Sequence, residues 1–317
     1  MSSTVNDASL PAAVEGSSLP FFYGTFTNIG FDYLLPADKV QALLRASSGG
    51  EQLSAGIFED GKALVSLNYQ QYFAQFARGS GITQEIELNI VAFPTKDASL
   101  TPKLTYRQYA MGEDQTRRLG FWRTHVDCDN DNAIKAGKDL FAEPKHKAGF
   151  AIVLPVPNAT TPAAAPPDEA KRRADAVDVW HVDCGVFGRA NPDGTYPEAE
   201  RYYTVDANLR GLTAQPVSAA PFTEYGSRKV KVKEVTVAKP LAAPLNVFSP
   251  YTWYDLSGAT GKVKVTLGKA PHQDGARSKE FVELLKGREP VGAWVHQSPP
   301  VAVQNRPYWM HADPARS

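Results

Sequence analysis

Three residues that can carry or release a proton stand in a row at Lys145, His146 and Lys147, directly after Pro144. A basic run between a helix and a strand is ordinarily a solvated surface feature, so its meaning depends on what surrounds it. Upstream, Arg123, His125 and Asp127 alternate along a strand-like stretch, which places them on one face. Arg123 and Arg107 are of the type that clamps a carboxylate through paired hydrogen bonds, and His125 is of the type that moves a proton. The tetrapeptide His125-Val126-Asp127-Cys128 recurs as His181-Val182-Asp183-Cys184. If the two strands were neighbours, two histidines and two carboxylates could meet around a divalent metal, or two thiols could meet. The plainer alternative is a histidine pair hydrogen-bonded inside a sheet. No Cys-x-x-Cys or His-x-x-x-His spacing supports a metal, and none is assigned. Gly79-Ser80-Gly81 lacks a phosphate-loop pattern and a following helix. No Gly-x-Ser-x-Gly elbow is present.

These residues need elements to hold them. Val40, Leu43 and Leu44 recur at helical spacing, so Ala37–Ala46 is predicted as a helix stopped by Gly49-Gly50. Glu85–Phe93 alternates, with Ile86, Leu88, Ile90 and Ala92 on one face, and reads as a strand. Leu64–Phe73, Leu104–Ala110 and Leu119–Asp127 read as further strands. Asp129-Asn130 can cap a short helix from Asp131 to Phe141, which Pro144 ends by disfavouring a helical Glu143. Phe150–Val156, Val177–Phe187, Arg201–Leu209, Lys229–Ala238 and Lys262–Leu267 follow as strands, with a bulge expected at Lys233-Glu234. Ser278 can cap a helix whose inner face is Phe281, Leu284 and Leu285. Strands do not alternate regularly with helices, which argues against a parallel doubly wound sheet. The expected fold is mainly β (α+β), an antiparallel β-barrel-like core with a few short peripheral helices. Residues 1–18 read as a flexible tail and 19–317 as a single domain, with a Pro/Ala-rich insertion near 157–175.

Composition limits the partners. Thirty-four basic residues balance 34 acidic ones, which argues against a general nucleic-acid binder. A hydrophobic content of 43% supports a sizeable core. Two cysteines in 317 residues are no disulfide scaffold. The start of the chain has no basic, then apolar, leader pattern, and the longest apolar stretch, Ala148–Val156, is too short to cross a bilayer. The expectation is a soluble cytoplasmic protein with no membrane partner.

The segment Val126–Phe150, VDCDNDNAIKAGKDLFAEPKHKAGF, resembles the acetoacetate decarboxylase family. The resemblance rests on Asp129-Asn130, Ala133-Ile134, Gly137, Leu140 and Pro144-Lys145, with weaker similarity back to about Phe21. It implies a lyase-like enzyme in which Lys145 forms a Schiff base with a small keto acid or related carbonyl compound. It also implies a homo-oligomer, and no cofactor is expected. The family has two adjacent lysines after the proline, whereas here His146 separates Lys145 from Lys147, so either could face the pocket. Two glutamates of the family align with Asn89 and Tyr106, and the nearest acids, Glu87 and Glu113, need a shifted register. That change allows decarboxylation or a retuned aldol-type or dehydratase-type reaction. It also allows a non-catalytic small-molecule-binding protein.

A lysine amine attacks a carbonyl only when neutral. Lowering its pKa by about 4 units takes roughly 5.5 kcal/mol of destabilisation of the ammonium. Burial and a neighbouring cation are the two means, and acetoacetate decarboxylase is the established example. With bases at Lys145–Lys147 and no acid at Asn89 or Tyr106, the expected pocket carries an excess of positive charge.

Overall fold

In a computed structural model of the chain, the described residues are 10–11, 19–76, 79–154, 178–217, 222–232, 235–247, 251–272, 277–298 and 302–310. The Pro/Ala-rich insertion, most of the N-terminal tail and Lys233-Glu234 lie outside them. The strands are β1 (Phe21–Pro36), β2 (Leu53–Ala55), β3 (Lys62–Phe76), β4 (Gly79–Pro94), β5 (Gly120–Cys128), β6 (Lys145–Lys147), β7 (Gly149–Val153), β8 (Val179–Gly185) and β9 (Arg201–Asn208). They continue with β10 (Ala214–Val217), β11 (Phe222–Val232), β12 (Val235–Val247), β13 (Tyr251–Asp255), β14 (Val263–Leu267), β15 (Gly292–Ser298), β16 (Ala302–Gln304) and β17 (Tyr308–Trp309). The helices are α1 (Ala37–Arg45), α2 (Tyr106–Ala110), α3 (Asp131–Ala136) and α4 (Arg277–Leu285). The protein is thus mainly β with a few short helices.

The large sheet has 13 strands, and its ladder runs β10-β13-β15-β1-β16-β12-β11-β5-β4-β2. β3 joins β1 to β4, β6 pairs with β5, and β17 pairs with β12. The pairings are antiparallel except β5 with β6 and β5 with β11. A second sheet of 4 strands, β14-β9-β8-β7, packs on the first. One apolar cluster draws on both, from Ile29, Leu67 and Ile90 of the large sheet to Trp180, Val182 and Val205 of the small one.

Most of the expected elements are present. Val40, Leu43 and Leu44 are the buried face of α1. The apolar face of β4 (Ile86, Leu88, Ile90, Ala92) is fully buried. Asn130 caps α3, its side chain accepting from the backbone N–H groups of Asn132 and Ala133. A π-helical turn, Gly137–Phe141, continues that helix and ends at Ala142, which is left-handed (φ 59°).

Three expectations are corrected. Leu104–Ala110 is not a strand: Thr105 and Gln108 form a capping box that starts α2. Lys229–Ala238 is not one bulged strand but the meeting of β11 and β12, paired antiparallel with Val232 opposite Val235. Ser278 does not cap the helix from outside but lies within α4, with its hydroxyl 2.6 Å from His272 Nδ1.

Candidate active site

Strand register decides which side chains meet. In an antiparallel pair, directly opposed residues share a face. Glu85 stands opposite Cys128, and Glu87 opposite Val126. The register then slips: Leu88 faces His125 while Asn89 faces Arg123, which leaves Thr124 as an extra residue on β5. Thr124 tucks its hydroxyl onto the Leu88 carbonyl at 2.8 Å. This β-bulge turns Arg123 to the face of Glu85, Glu87 and Asn89, and His125 and Asp127 to the opposite face. The expectation that Arg123, His125 and Asp127 share a face is therefore corrected. β6 runs parallel to β5 with Lys145 beside Val126, so Lys145 joins the Arg123 face and His146, beside Asp127, joins the other.

On the Arg123 face stands an ionic network closed off from solvent. Lys145 Nζ donates to Glu85 Oε1 at 2.6 Å. It also lies 2.9 Å from Glu143 Oε2, an ion contact without hydrogen-bond alignment. Arg123 meets Glu87 at 2.8 Å, Glu143 at 2.5 Å and Glu224 at 2.6 Å. Gln70 donates to both Glu85 (2.8 Å) and Glu87 (3.0 Å). Tyr72 donates its hydroxyl to Glu85 at 2.9 Å, and Asn89 donates to Asn68 at 2.6 Å and to Glu87 at 3.1 Å. Glu143 reaches this point because the left-handed Ala142 folds the chain back at the end of the π turn.

Four carboxylates surround two cations, so the expectation of excess positive charge is overturned. The same count overturns the expectation of a lysine kept neutral by a cationic neighbour. Burial opposes the Lys145 charge, but Glu143 and Glu85 more than offset it and hold the amine well above the ordinary lysine value. Burial also pushes Glu143 up, yet Arg123 and Lys145 prevail and hold it at about 2. Burial raises Glu224 well above the carboxylate range, beyond what Arg123 offsets, and raises Glu87 in the same sense. Of the four, Glu87 and Glu224 are the carboxyls that burial pushes upward, and Glu224 shares a hydrogen bond with Glu143.

A cavity of about 100 Å³ opens beside this network. A single water needs only about 10–15 Å³ by the same kind of measure, so a small organic molecule fits. Arg123, Glu87, Glu224 and Gln70 line its polar end. Asn28, Asn68, His296, Asp32, Trp253 and Trp294 also line it, Asp32 lying three strands from Arg123 in the register and so defining the far end. Trp294 can lie against β1 because Gly30 has no side chain: a Cβ there would stand 2.1 Å from the indole. The Lys145 amine sits one residue behind the lining, joined to it through Glu85–Gln70 and Glu143–Arg123.

Each sequence candidate now has a place. Lys145, Arg123 and Asn89 are in the network. Lys147 donates instead to the Asp129 carbonyl at 2.7 Å and to Asp131 at 2.9 Å, and lies over the Phe187 ring. His146 stacks on His125, with ring centroids 4.8 Å apart, behind β5. Tyr106 lies on α2 and donates to Asp32 at 3.1 Å, near the far end of the cavity. Arg107 is on the surface, beside Asp255 and bonded to Gln215, because α2 rather than a strand carries it. Among the two possible acids, Glu87 is in the network, while Glu113 is exposed beyond α2.

The repeated tetrapeptides do not pair. β5 belongs to the large sheet and β8 to the small one. His181 pairs with Asp206 and Asp183 with Arg201, and both cysteines are free thiols. Glu85, Glu143, Glu224 and Gln70 escaped the sequence reading. The signal for the first was the polar face of β4, where Glu85, Glu87 and Asn89 alternate with the apolar residues.

No protein-family model and no curated protein sequence matches the chain. Solved structures do match it in shape. The enduracididine biosynthesis enzyme MppR complexed with pyruvate aligns with a TM-score of 0.55 at 12% identity, over 92% of this chain and 90% of that one. The same enzyme complexed with the condensation product of pyruvate and imidazole 4-carboxaldehyde also aligns at 0.55, with 11% identity over 92% and 88%. An acetoacetate decarboxylase-like enzyme from Sphingomonas wittichii RW1 aligns at 0.53, with 14% identity over 98% and 95%. Acetoacetate decarboxylase from Legionella pneumophila aligns at 0.54, with 10% identity over 98% and 96%. The chain has an acetoacetate decarboxylase-like fold, as the segment around Pro144-Lys145 implied.

Proposed function

We propose that the protein is a lyase-like enzyme that joins the carbonyl carbon of a small keto acid or related compound to the Lys145 amine as an imine. The observation that carries this reading is the buried Lys145 amine, within 2.9 Å of two carboxylates behind the polar end of the cavity. The neighbouring MppR structures, with pyruvate and with a pyruvate condensation product, support a carbonyl ligand. The ammonium first gives a proton to Glu85, whose Oε1 accepts from it at 2.6 Å. The neutral amine adds to the carbonyl, and the resulting carbinolamine loses its oxygen as water. Glu224, whose carboxyl burial pushes well up and which lines the cavity, is suited to protonate that departing oxygen. The iminium is an electron sink, so a bond next to the former carbonyl carbon can break or a proton can leave. This serves decarboxylation and aldol-type or dehydratase-type chemistry alike.

Borohydride trapping tests it. Protein incubated with pyruvate and related keto acids, then reduced, is expected to gain the mass of one reduced adduct on Lys145. Lys145→Met should gain none, and Lys147→Ala should still be labelled. A panel of keto acids that labels neither lysine retires the imine mechanism.

A second reading, a non-catalytic binding protein, has one observation in its favour: the carboxylates hold Lys145 in its charged form. Ligands that raise the melting temperature but are never consumed or trapped would support it. Three structural expectations belong to the same proposal. The pairings run β1-β3-β4-β5-β11-β12-β16 and return to β1, which supports a barrel-like core. No helix among the described residues is long and apolar enough to cross a membrane. A cytoplasmic homo-oligomer is the assembly and location we infer, to be checked by light scattering and fractionation.

A further inference from the structure

The end of the cavity away from Arg123 has its own chemistry. Asp32 lines it and is 4% exposed. Its carboxylate accepts from the Tyr106 hydroxyl at 3.1 Å and from the Trp294 indole N–H at 3.4 Å. Among the described residues no Lys, Arg or His lies within ion-pair distance of it, unlike the carboxylates of the network. Two indoles stand beside it, Trp294 with its N–H on Asp32 and Trp253 with its N–H on the Tyr106 hydroxyl and the exposed Arg107 over its ring. A buried carboxylate without a cationic partner, beside indole rings, is an arrangement that attracts an organic cation.

A second observation comes from the amide chain along the cavity wall. Gln70 must turn its amide N–H group to Glu85 and Glu87, because carboxylates accept only. Its oxygen therefore faces Asn28, whose amide nitrogen donates to it at 3.2 Å. Asn28 cannot flip without setting two oxygens against each other. Its Oδ1 is left as a buried acceptor with no partner, on a residue that lines the cavity and is 3% exposed. Such an atom calls for a donor from outside the protein. The charged groups lining the cavity also lean one way: Asp32, Glu87, Asp114 and Glu224 against Arg123 alone. Even with Glu87 and Glu224 left aside as the partners of Arg123, two acids face that one base. Asp114 is occupied by the backbone N–H groups of Thr116 and Leu119, which leaves Asp32 as the available anion.

We propose that the Asp32 end of the cavity is a cation subsite, which holds an alkylammonium or guanidinium group against Asp32 and the indoles of Trp253 and Trp294. This deepens the function above and rests on it for the identity of the opposite, reacting end. The substrate class becomes carbonyl compounds with an organic cation at the far end of the chain. Asp32 lies across β3 and β4 from Arg123, through Ser66 and Asn89. Three strand spacings make that about 14 Å along the sheet, and the path through the cavity of a curved sheet is shorter.

The test uses three probes of matched length and no carbonyl group: n-hexylammonium, 1-hexanol and hexanoate, titrated calorimetrically at pH 7.5. The wild type is expected to bind hexylammonium about tenfold more tightly than hexanol, the size of a partly desolvated cation contact, and hexanoate least. Asp32→Asn should erase the preference for hexylammonium while hexanol still binds. Trp294→Leu, which leaves Asp32 in place, should narrow the preference and serves if Asp32→Asn does not fold. Hexanol or hexanoate binding as tightly as hexylammonium in the wild type overturns the subsite. A preference that survives both variants overturns its placement at Asp32. None of the probes can form an imine. Cation binding without any trapped keto acid therefore removes only the catalytic reading, and trapping without cation preference removes only the subsite.

Discussion

Asp32 is a costly residue for the fold to keep, and the cost has a sign that can be measured. Burial raises its pKa from 3.8 to about 6. The native state therefore holds the Asp32 proton more tightly than the unfolded chain does. The stability from that proton is complete below pH 3.8 and is lost as pH rises through about 6. Above that, the buried carboxylate weakens the fold by about 3 kcal/mol, from roughly 2.2 pKa units at 1.36 kcal/mol each. The neighbouring phenols of Tyr33, Tyr106, Tyr109 and Tyr251 are all raised by burial and stay protonated across this range. Asp32→Asn keeps the shape, since its oxygen can accept from Trp294 while its nitrogen donates to the Tyr106 hydroxyl. The variant is expected to be more stable than wild type by up to about 3 kcal/mol at pH 7.5, with the gain gone near pH 4. Urea denaturation at the two pH values reads the difference. Equal loss of stability at both would mean that Asp32 is structural and carries no stored electrostatic cost. A residue that lowers stability at working pH is the kind that selection keeps for binding rather than folding.

At the scale of elements, the site is made by three local departures from regularity: the bulge at Thr124, the π turn after α3 and the left-handed Ala142. Gly137 opens the π turn with ordinary helical dihedrals (φ −58°). At such a position alanine normally stabilises by about 1 kcal/mol. Here a Cβ would stand 2.5 Å from Glu143 Oε2 and 2.7 Å from the Lys145 Cδ and Cε atoms. Gly137→Ala is therefore expected to lower the melting temperature and to cut Lys145 adduct formation more than tenfold. Lys135→Ala, which removes only an exposed pair with Asp139 on the same helix, should change stability by less than about 0.5 kcal/mol. A Gly137→Ala protein that is more stable and equally labelled would show that the π turn does not shape the site. Much of this framework is legible in the sequence, because α1, β4 and the α3–Pro144–Lys145 segment are governed by local periodicity, caps and proline. The bulge is not legible, since it follows from how β5 registers against β4. The polar face of β4 reads as solvent-facing because glutamate and asparagine usually are, and only the enclosing sheet turns it inward. The Thr105–Gln108 capping box was readable, but the apolar residues around it imitate a strand.

At the scale of the molecule, the site depends on how the small sheet braces the back of β5. Behind that strand, His125 Nε2 lies 2.9 Å from Asp127 Oδ1, and His146 stacks on His125. Tyr203 of β9 donates a short hydrogen bond to Asp127 Oδ2. Asp127 and Tyr203 are almost wholly buried, so the contact ties the two sheets together where water cannot substitute. Around it the apolar core is shared, with Trp180 of β8 and Phe281 of α4 in the same cluster as Leu88 of β4. The two sheets cover each other's apolar faces, and a single unfolding transition is the expected outcome. Tyr203→Phe leaves a buried carboxylate oxygen short of a donor, which costs about 1–3 kcal/mol. The urea midpoint should fall by the same amount whether followed by tryptophan fluorescence, which samples both sheets, or by far-ultraviolet circular dichroism. Separated midpoints would show that the small sheet unfolds on its own, and that β5 and β6 hold Arg123 and Lys145 without it. Coincident midpoints with a lowered adduct yield are the result expected if Tyr203 and Asp127 fix the strand pair on which Arg123 and Lys145 stand.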